Sequence, residues 1–345
     1  MFTYSLCMIV KNEERILARC LDSFAPLFDE IVVVDTGSND RTKEIAATYT
    51  DRVFDFAWVD DFSAARNFAF SKCTGDYIYS CDADEVLDEV NRERFSQLMQ
   101  AMLPEIEIVQ MKYVDPRSTV LNTREEWRAK LFKRLRSFRW EDPVHETVRT
   151  EPVVFDSDVE ILHEPEGEAH DKRDFSIFQK AYQNGTPFSK KLYAMYATEL
   201  FKCGEPADFE SAIPVFEARL AMEGLEVDAI LVALGVLARG YRLTHDTTSF
   251  LKVTLRGFSG GFLGSSELCC ELGQYFLEAG DIGEAARWFE RALRETEPVS
   301  DARSGGDLAF LGLASCEEAR GHEAEAKEYR KRAAEWHKNV FDPYA

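Results

Sequence analysis

Glu30-Ile31-Val32-Val33-Val34-Asp35-Thr36-Gly37-Ser38-Asn39-Asp40-Arg41-Thr42 is a β-branched run, a polar loop with one glycine, and a set of helix-capping residues in succession. An apolar run of this kind is a strand buried on both faces. A helical pattern follows over residues 43–49. The same unit recurs on either side. Upstream, Tyr4-Ser5-Leu6-Cys7-Met8-Ile9-Val10 reads as a strand, and Asn12 is placed to cap a helix with Ile16, Leu17, Cys20, Leu21 and Phe24 on one face. Downstream come a strand over residues 52–56, a helix over 64–71, and the strand Tyr77-Ile78-Tyr79-Ser80-Cys81. Such a βαβ series predicts a parallel, doubly wound sheet, with ligands beyond the carboxyl ends of its strands.

The last of these strands runs into Asp82-Ala83-Asp84-Glu85. Side chains alternate with period two, so the outer carboxylates Asp82 and Asp84 leave the sheet on the same side. Two hard oxygen ligands there suit Mg²⁺ or Mn²⁺, which keep positions open for substrate phosphates. An isolated Asp-X-Asp is more often a solvated turn. Its place in a strand series, on the same edge as Asp35, reverses that reading.

Ser5 to Glu13 (SLCMIVKNE), Ile31 to Thr42 (IVVVDTGSNDRT), Asp61 to Asn67 (DFSAARN) and Asp82 to Glu85 (DADE) together resemble the family 2 glycosyltransferases of GT-A fold. More narrowly, they resemble the bacterial branch that joins such a domain to tetratricopeptide-like helices and includes enzymes glycosylating peptides and proteins. The resemblance implies a Rossmann-like, nucleotide-diphospho-sugar transferase domain of α/β class over residues 1–168, followed by an all-α tetratricopeptide-like domain over residues 169–345. It implies that Val10 and Glu13 flank the seat of the nucleotide base, although Glu13 reads better as a first-turn helix acid and is not counted among the site residues. Asp35 is expected to accept hydrogen bonds from base or ribose, the plainer alternative being a helix-entry residue. Asp61 and Arg66 fall where relatives hold the diphosphate or base, and Arg66 could also be an ordinary ion-pair partner. Asp82 and Ala83 are expected to line the cofactor-binding turn. The metal would bridge Asp84 and Asp82 to the diphosphate as a Lewis acid. Arg128-Ala129-Lys130-Leu131-Phe132, an aromatic, then Val144-His145-Glu146 follow an order found in relatives, and by that resemblance His145 is the third metal ligand, a preference that favours Mn²⁺.

An inverting transferase needs a base for the acceptor proton, and Asp142, Glu141 and Glu146 are the carboxylates in reach, with Asp142 ranked first. His163, at the end of Val159-Glu160-Ile161-Leu162, reads as a structural or interface residue. Beyond about residue 170 helices take over. Leu272, Gly273, Phe276, Gly280, Ala285, Phe289 and Ala292 fall at tetratricopeptide spacing, with weaker copies over residues 192–220 and 308–336 and a degenerate pair between them. The copy at 192–220 is expected to carry a short insertion at Glu205-Pro206-Ala207. The array is expected to bind acceptor or to form a homodimer.

The net charge of -21 argues against nucleic acid and anionic membrane surfaces as partners. No run approaches a membrane span, the N-terminus lacks a signal-peptide pattern, and eight cysteines without a Cys-x-x-Cys spacing suit reduced thiols, so a cytoplasmic enzyme is expected. The expected reaction is metal-dependent transfer of a hexose or N-acetylhexosamine from a UDP-sugar to a peptide or protein side chain. The alternatives are a saccharide or lipid-linked acceptor, a non-catalytic repeat scaffold, and a nucleotidyltransferase.

Overall fold

The computed structural model describes residues 2–114, 125–134, 138–148, 153–164, 173–259 and 263–341. In the N-terminal part, β1 (Tyr4–Val10), α1 (Leu17–Phe24), β2 (Glu30–Asp35), α2 (Thr42–Ala47), β3 (Val53–Asp55), α3 (Phe62–Lys72) and β4 (Tyr77–Cys81) follow one another as the sequence predicts. They are succeeded by β5 (Glu85–Val86), α4 (Glu89–Gln100), β6 (Ile108–Val114), β7 (Glu125–Lys133), β8 (Trp140–Glu141), β9 (Thr147–Val148) and β10 (Val154–His163). The main sheet has the order β3-β2-β1-β4-β7-β6-β10-β5.

Its first four strands are parallel, as expected. The second half departs from a purely parallel sheet: β7 runs antiparallel to both β4 and β6, because it returns directly from β6 and inserts between them. β10 is again parallel to β6. The carboxyl ends of β1, β2, β4, β6 and β10 therefore share one edge with the start of β7.

Alternation assigns the two faces. Leu6, Met8, Val33, Tyr77 and Tyr79 join the buried side of α1 and α4, including Leu21, Phe24 and Phe95. Cys7, Val32, Val34 and Ile78 point the other way, onto Ala69 and Cys73 at α3. Burying a Leu- or Phe-sized side chain is worth roughly 1.5–3 kcal/mol, so these two layers dominate the stability of the unit. The first helix begins later than Asn12 suggests, at Leu17. Asn12 instead takes a left-handed φ of 57°, and its Oδ1 accepts from Asn39 N at 2.8 Å, tying the loop after β1 to that after β2.

The chain's two compact units part between Ile177 and Phe178, inside α5 (Arg173–Gln183), while the expected boundary at residue 168 lies outside the described residues. The helical unit continues with α6 (Lys190–Cys203), α7 (Pro206–Leu220), α8 (Val227–Leu243), α9 (Thr247–Gly257), α10 (Ser266–Glu278), α11 (Ile282–Arg294), α12 (Asp307–Ala319) and α13 (Glu323–Phe341). These are the four pairs read from the sequence. Small residues sit where helices approach: a Cβ on Gly273 or Gly312 would lie 2.8 Å or 2.4 Å from the Phe289 ring. The expected insertion at Glu205-Pro206-Ala207 is instead the start of α7, with Pro206 in the first turn and Glu205 and Asp208 in a reciprocal capping box.

The longest link between these paired helices, residues 295–306, is fixed by buried charge. Glu267 on α10 accepts backbone N–H bonds from Val299, Ser300 and Asp301 at 2.9, 2.7 and 2.9 Å. Arg303 pairs with Asp301 and donates to the Phe201 carbonyl of α6 at 2.8 Å. The link thus lies along the row of first helices. All eight cysteines are free, and no described helix is long and apolar enough to cross a membrane.

Candidate active site

Asp82, Ala83 and Asp84 form the turn between β4 and β5, closed by Glu85 N donating to Asp82 O at 3.1 Å. β5 pairs with the end of β10, His163 opposite Glu85, and Glu164 N donates to Asp84 O at 2.8 Å. That register sets the Asp84 carboxylate beside His163. Asp84 Oδ2 lies 3.0 Å from His163 Nε2, and Oδ1 is buried with no hydrogen-bond partner among the described residues.

Asp82 has different surroundings. Its Oδ1 accepts from Arg66 Nη2 at 2.7 Å, and its Oδ2 lies 3.5 Å from Lys130 Nζ. Burial would raise its pKa, but Arg66 and Lys130 outweigh burial and hold the carboxyl far below the usual range. Lys130 also contacts Glu85, whose other oxygen accepts from Tyr79 Oη at 3.1 Å. Burial pushes Glu85 up to about 7 against the pull of Lys130, whereas for Lys130 burial is outweighed by Glu85 and Asp82 and its pKa is raised. With an ammonium on one oxygen and a phenol donor on the other, the ionised pair is the state the geometry favours.

Arg66 organises the opposite face. From α3 it donates through Nη1 to Ser80 Oγ at 3.1 Å and through Nε to Glu146 Oε1 at 2.5 Å, with its guanidinium 4.9 Å from the Trp140 ring centroid. Burial opposes its charge, yet Asp82 and Glu146 raise its pKa further. The adjacent Asn67 gives and takes one hydrogen bond each with the Trp140 backbone, at 3.0 and 2.9 Å, as a ladder partner would. Phe62 N donates to Pro143 O at 2.9 Å. Helix α3 thereby clamps the β8–β9 hairpin, which carries every candidate base.

On that hairpin Glu141 is exposed, Asp142 is half-buried at φ 71°, and Glu146 is the candidate brought to Arg66. His145, at φ 52°, has its Nε2 3.9 Å from Asp174 Oδ2. Among the described residues no three His, Cys, Asp or Glu side chains converge as a ready-made metal cluster, and the histidine in contact with Asp84 is His163.

At β2, Asp35 is 2% exposed, and its Oδ1 accepts from Gly37 N and Ser38 N at 2.9 Å each, in a loop that Gly37 turns at φ 107°. Its Oδ2 is buried with no partner among the described residues. The Val10 carbonyl accepts from Thr36 N at 2.9 Å, while Glu13 N donates to Thr42 Oγ1 at 2.7 Å. Asp61 caps α3, accepting from Ala64 N at 2.9 Å and Ser63 Oγ at 2.8 Å, and Ala83 is buried in the acidic turn.

Sequence reasoning passed over Lys130, Ser80, Asn67 and Trp140, and gave His163 no contact with the acids. Lys130 had a signal, a charge inside the apolar segment Ala129-Lys130-Leu131-Phe132, where a buried strand tolerates one only if it is paired. Trp127 is 46% exposed near the start of β7, with Lys112 Nζ 6.0 Å from its ring centroid.

Residues 5–160 match the model of the family described as Glycosyl transferase family 2. A TPR repeat-containing protein of Synechococcus elongatus is 38% identical over 144 residues, 42% of this chain and 35% of the relative. The SPbeta prophage-derived glycosyltransferase SunS of Bacillus subtilis is 31% identical over 102 residues, 29% of this chain and 24% of the relative. The lipopolysaccharide core biosynthesis glycosyltransferase LpsC of Rhizobium meliloti is 32% identical over 101 residues, 28% of this chain and 37% of the relative. The chain thus spans well under two thirds of the length of these curated relatives, with shares of 35%, 24% and 37%. Glucosyl-3-phosphoglycerate synthase from Mycobacterium tuberculosis, solved in complex with Mn²⁺ and UDP-glucose, is 15% identical with a TM-score of 0.38, covering 55% of this chain and 81% of that one.

Proposed function

Since residues 5–160 form a family 2 glycosyltransferase domain, we propose that the protein transfers a sugar from a UDP-sugar to a peptide or protein side chain, with inversion at the anomeric carbon. One observation carries the reading. Asp35 and Asp84, both at the carboxyl edge of the sheet, each keep a buried carboxylate oxygen with no partner among the described residues. A buried acceptor of this kind costs about 1–3 kcal/mol unless something fills it.

Asp35 Oδ2 is the acceptor for a donor N–H or O–H of the uridine. Asp84 Oδ1, with His163 beside it and Asp82 next in line, would hold Mn²⁺ or Mg²⁺, which when bound supplies Lewis-acid neutralisation of the departing diphosphate. Asp142, half-buried on the hairpin, is the proposed base, with Glu141 and Glu146 as the other carboxylates there. Asp142 takes the acceptor proton as the new bond to the anomeric carbon forms, and the bond to the diphosphate oxygen breaks with its electron pair leaving on UDP. Arg66 and Asn67 hold that hairpin in place. The helical unit is proposed to bind the acceptor or a second copy, and the eight free thiols fit a cytoplasmic setting.

A saccharide acceptor is a second reading, favoured by the exposed Trp127 at the same edge, since a flat aromatic face stacks on sugar rings. The test is UDP release from a panel of UDP-sugars with and without Mn²⁺. Wild type should release UDP from one sugar only when the metal is present, and Asp84→Ala should lose at least about a hundredfold of that rate. Binding of UDP without turnover in any acceptor mixture would favour the scaffold alternative; no binding of any UDP-sugar would remove the donor assignment.

A further inference from the structure

The third acid of Asp82-Ala83-Asp84-Glu85 does not face the cleft. Glu85 is 0% exposed, and both of its oxygens are engaged, one by Lys130 and the other by Tyr79 Oη at 3.1 Å. Lys130 is buried too, its ammonium 5.6 Å from the Tyr79 ring centroid and 5.9 Å from that of Tyr113, and it reaches Asp82 Oδ2 at 3.5 Å. A buried ion pair contributes little net stability, and apolar or neutral residues of similar shape commonly replace one without loss. Holding the turn together therefore does not account for its charges. What the charges do is set the field at the acids above them: a fixed cation lies between Glu85 and Asp82, one residue on either side of Ala83-Asp84.

We propose that the Glu85–Lys130 pair tunes the cation affinity of the Asp82-Ala83-Asp84 turn, with Lys130 as a positioning residue that shares Asp82 and limits how tightly a divalent cation is held at Asp84. The inference rests on the metal-dependent reading above. Its physical sense is turnover: a cation held too firmly at these acids would retain UDP, and product release limits many enzymes.

The test is Mn²⁺ affinity, read by electron paramagnetic resonance with saturating UDP at pH 7.5, together with the thermal midpoint of each variant. Glu85→Gln keeps the shape and leaves Lys130 uncompensated, so Mn²⁺ should bind more weakly by on the order of tenfold. The double variant Glu85→Gln/Lys130→Met removes both charges and should recover affinity to within about threefold of wild type. Lys130→Met alone, if it folds, should bind Mn²⁺ more tightly than wild type. A pair that only braces the turn predicts the reverse order, with the double variant at least as weak as Glu85→Gln, and that result would overturn the proposal. Absence of Mn²⁺ binding in the wild type would instead remove the metal reading on which it rests.

Discussion

At the scale of single residues the site is decided by which carboxylate oxygens are already spoken for. Asp82 is bracketed by Arg66 and Lys130, whereas Asp84 has one oxygen on His163 and one buried without a partner among the described residues. On the proposed metal-dependent reading, an ion entering this edge would meet Asp84 and His163 first. His163→Ala should therefore weaken Mn²⁺ binding by about tenfold or more, as loss of a ligand or of its orienting partner does. His145→Ala should weaken it less, because the ring within reach of the Asp84 carboxylate, at 3.0 Å, is that of His163. Isothermal titration of Mn²⁺ into both variants decides between the two histidines, and the opposite order would favour His145 as the third ligand. The acids and Asp35 were legible because strand ends in a βαβ series tell where side chains emerge. The choice of histidine was not, since both follow apolar strand-like residues, and only the pairing of β10 with β5 brings one of them to Asp84.

At the scale of elements, the segment Asp61 to Asn67 turns out to be a clamp. Asp61 caps α3, Arg66 reaches Asp82 and Glu146, and Asn67 pairs with the Trp140 backbone. The cap gives Asp61 a role that needs no nucleotide. Asp61→Ala should cost about 1 kcal/mol of stability, whereas Asp61→Ser, itself a good cap, should cost little. Urea midpoints and UDP affinity measured on both variants separate capping from nucleotide contact: a Ser variant that is stable but has lost UDP would show that Asp61 touches the ligand. Strands and helices here follow from burial pattern and period. The antiparallel β7 does not, because a strand's direction depends on the neighbours it pairs with and not on its own residues.

At the scale of the whole molecule, the helical unit has a core of paired charge as well as of small residues. Glu271 on α10 is 1% exposed and accepts from Arg239 Nε at 2.6 Å and Arg242 Nε at 2.7 Å. Burial would raise its pKa; the two guanidinium groups outweigh burial and lower it below the ordinary value of 4.5. A carboxyl with a depressed folded-state pKa contributes stability that is present above the unfolded value and is lost as pH falls through the folded one. The helical unit should thus lose stability progressively as pH drops below about 4.5, and Glu271→Gln should flatten that acid limb. Urea midpoints followed by far-ultraviolet circular dichroism between pH 7 and 3 check this, and parallel decline of both proteins would assign the acid sensitivity elsewhere. The link at residues 295–306 belongs to the same scale. Its backbone is held by Glu267 and its Arg303 reaches α6, so an acceptor bound along that row would contend with the chain's own residues.

The sequence alone determined the alternation of strand and helix, the common edge on which Asp35, Asp82 and Asp84 emerge, and the repeated helix pairs after it. Each is a local property, written in apolar period, caps and small residues within a few tens of positions. Tertiary structure alone decided that Arg66 and Lys130 occupy Asp82, that Glu85 turns inward, that His163 stands against Asp84, and that Asn67 holds the hairpin. Those are contacts between residues 16 to 80 positions apart, set by strand order and register, and charge partners at such separations leave no periodic trace in the chain.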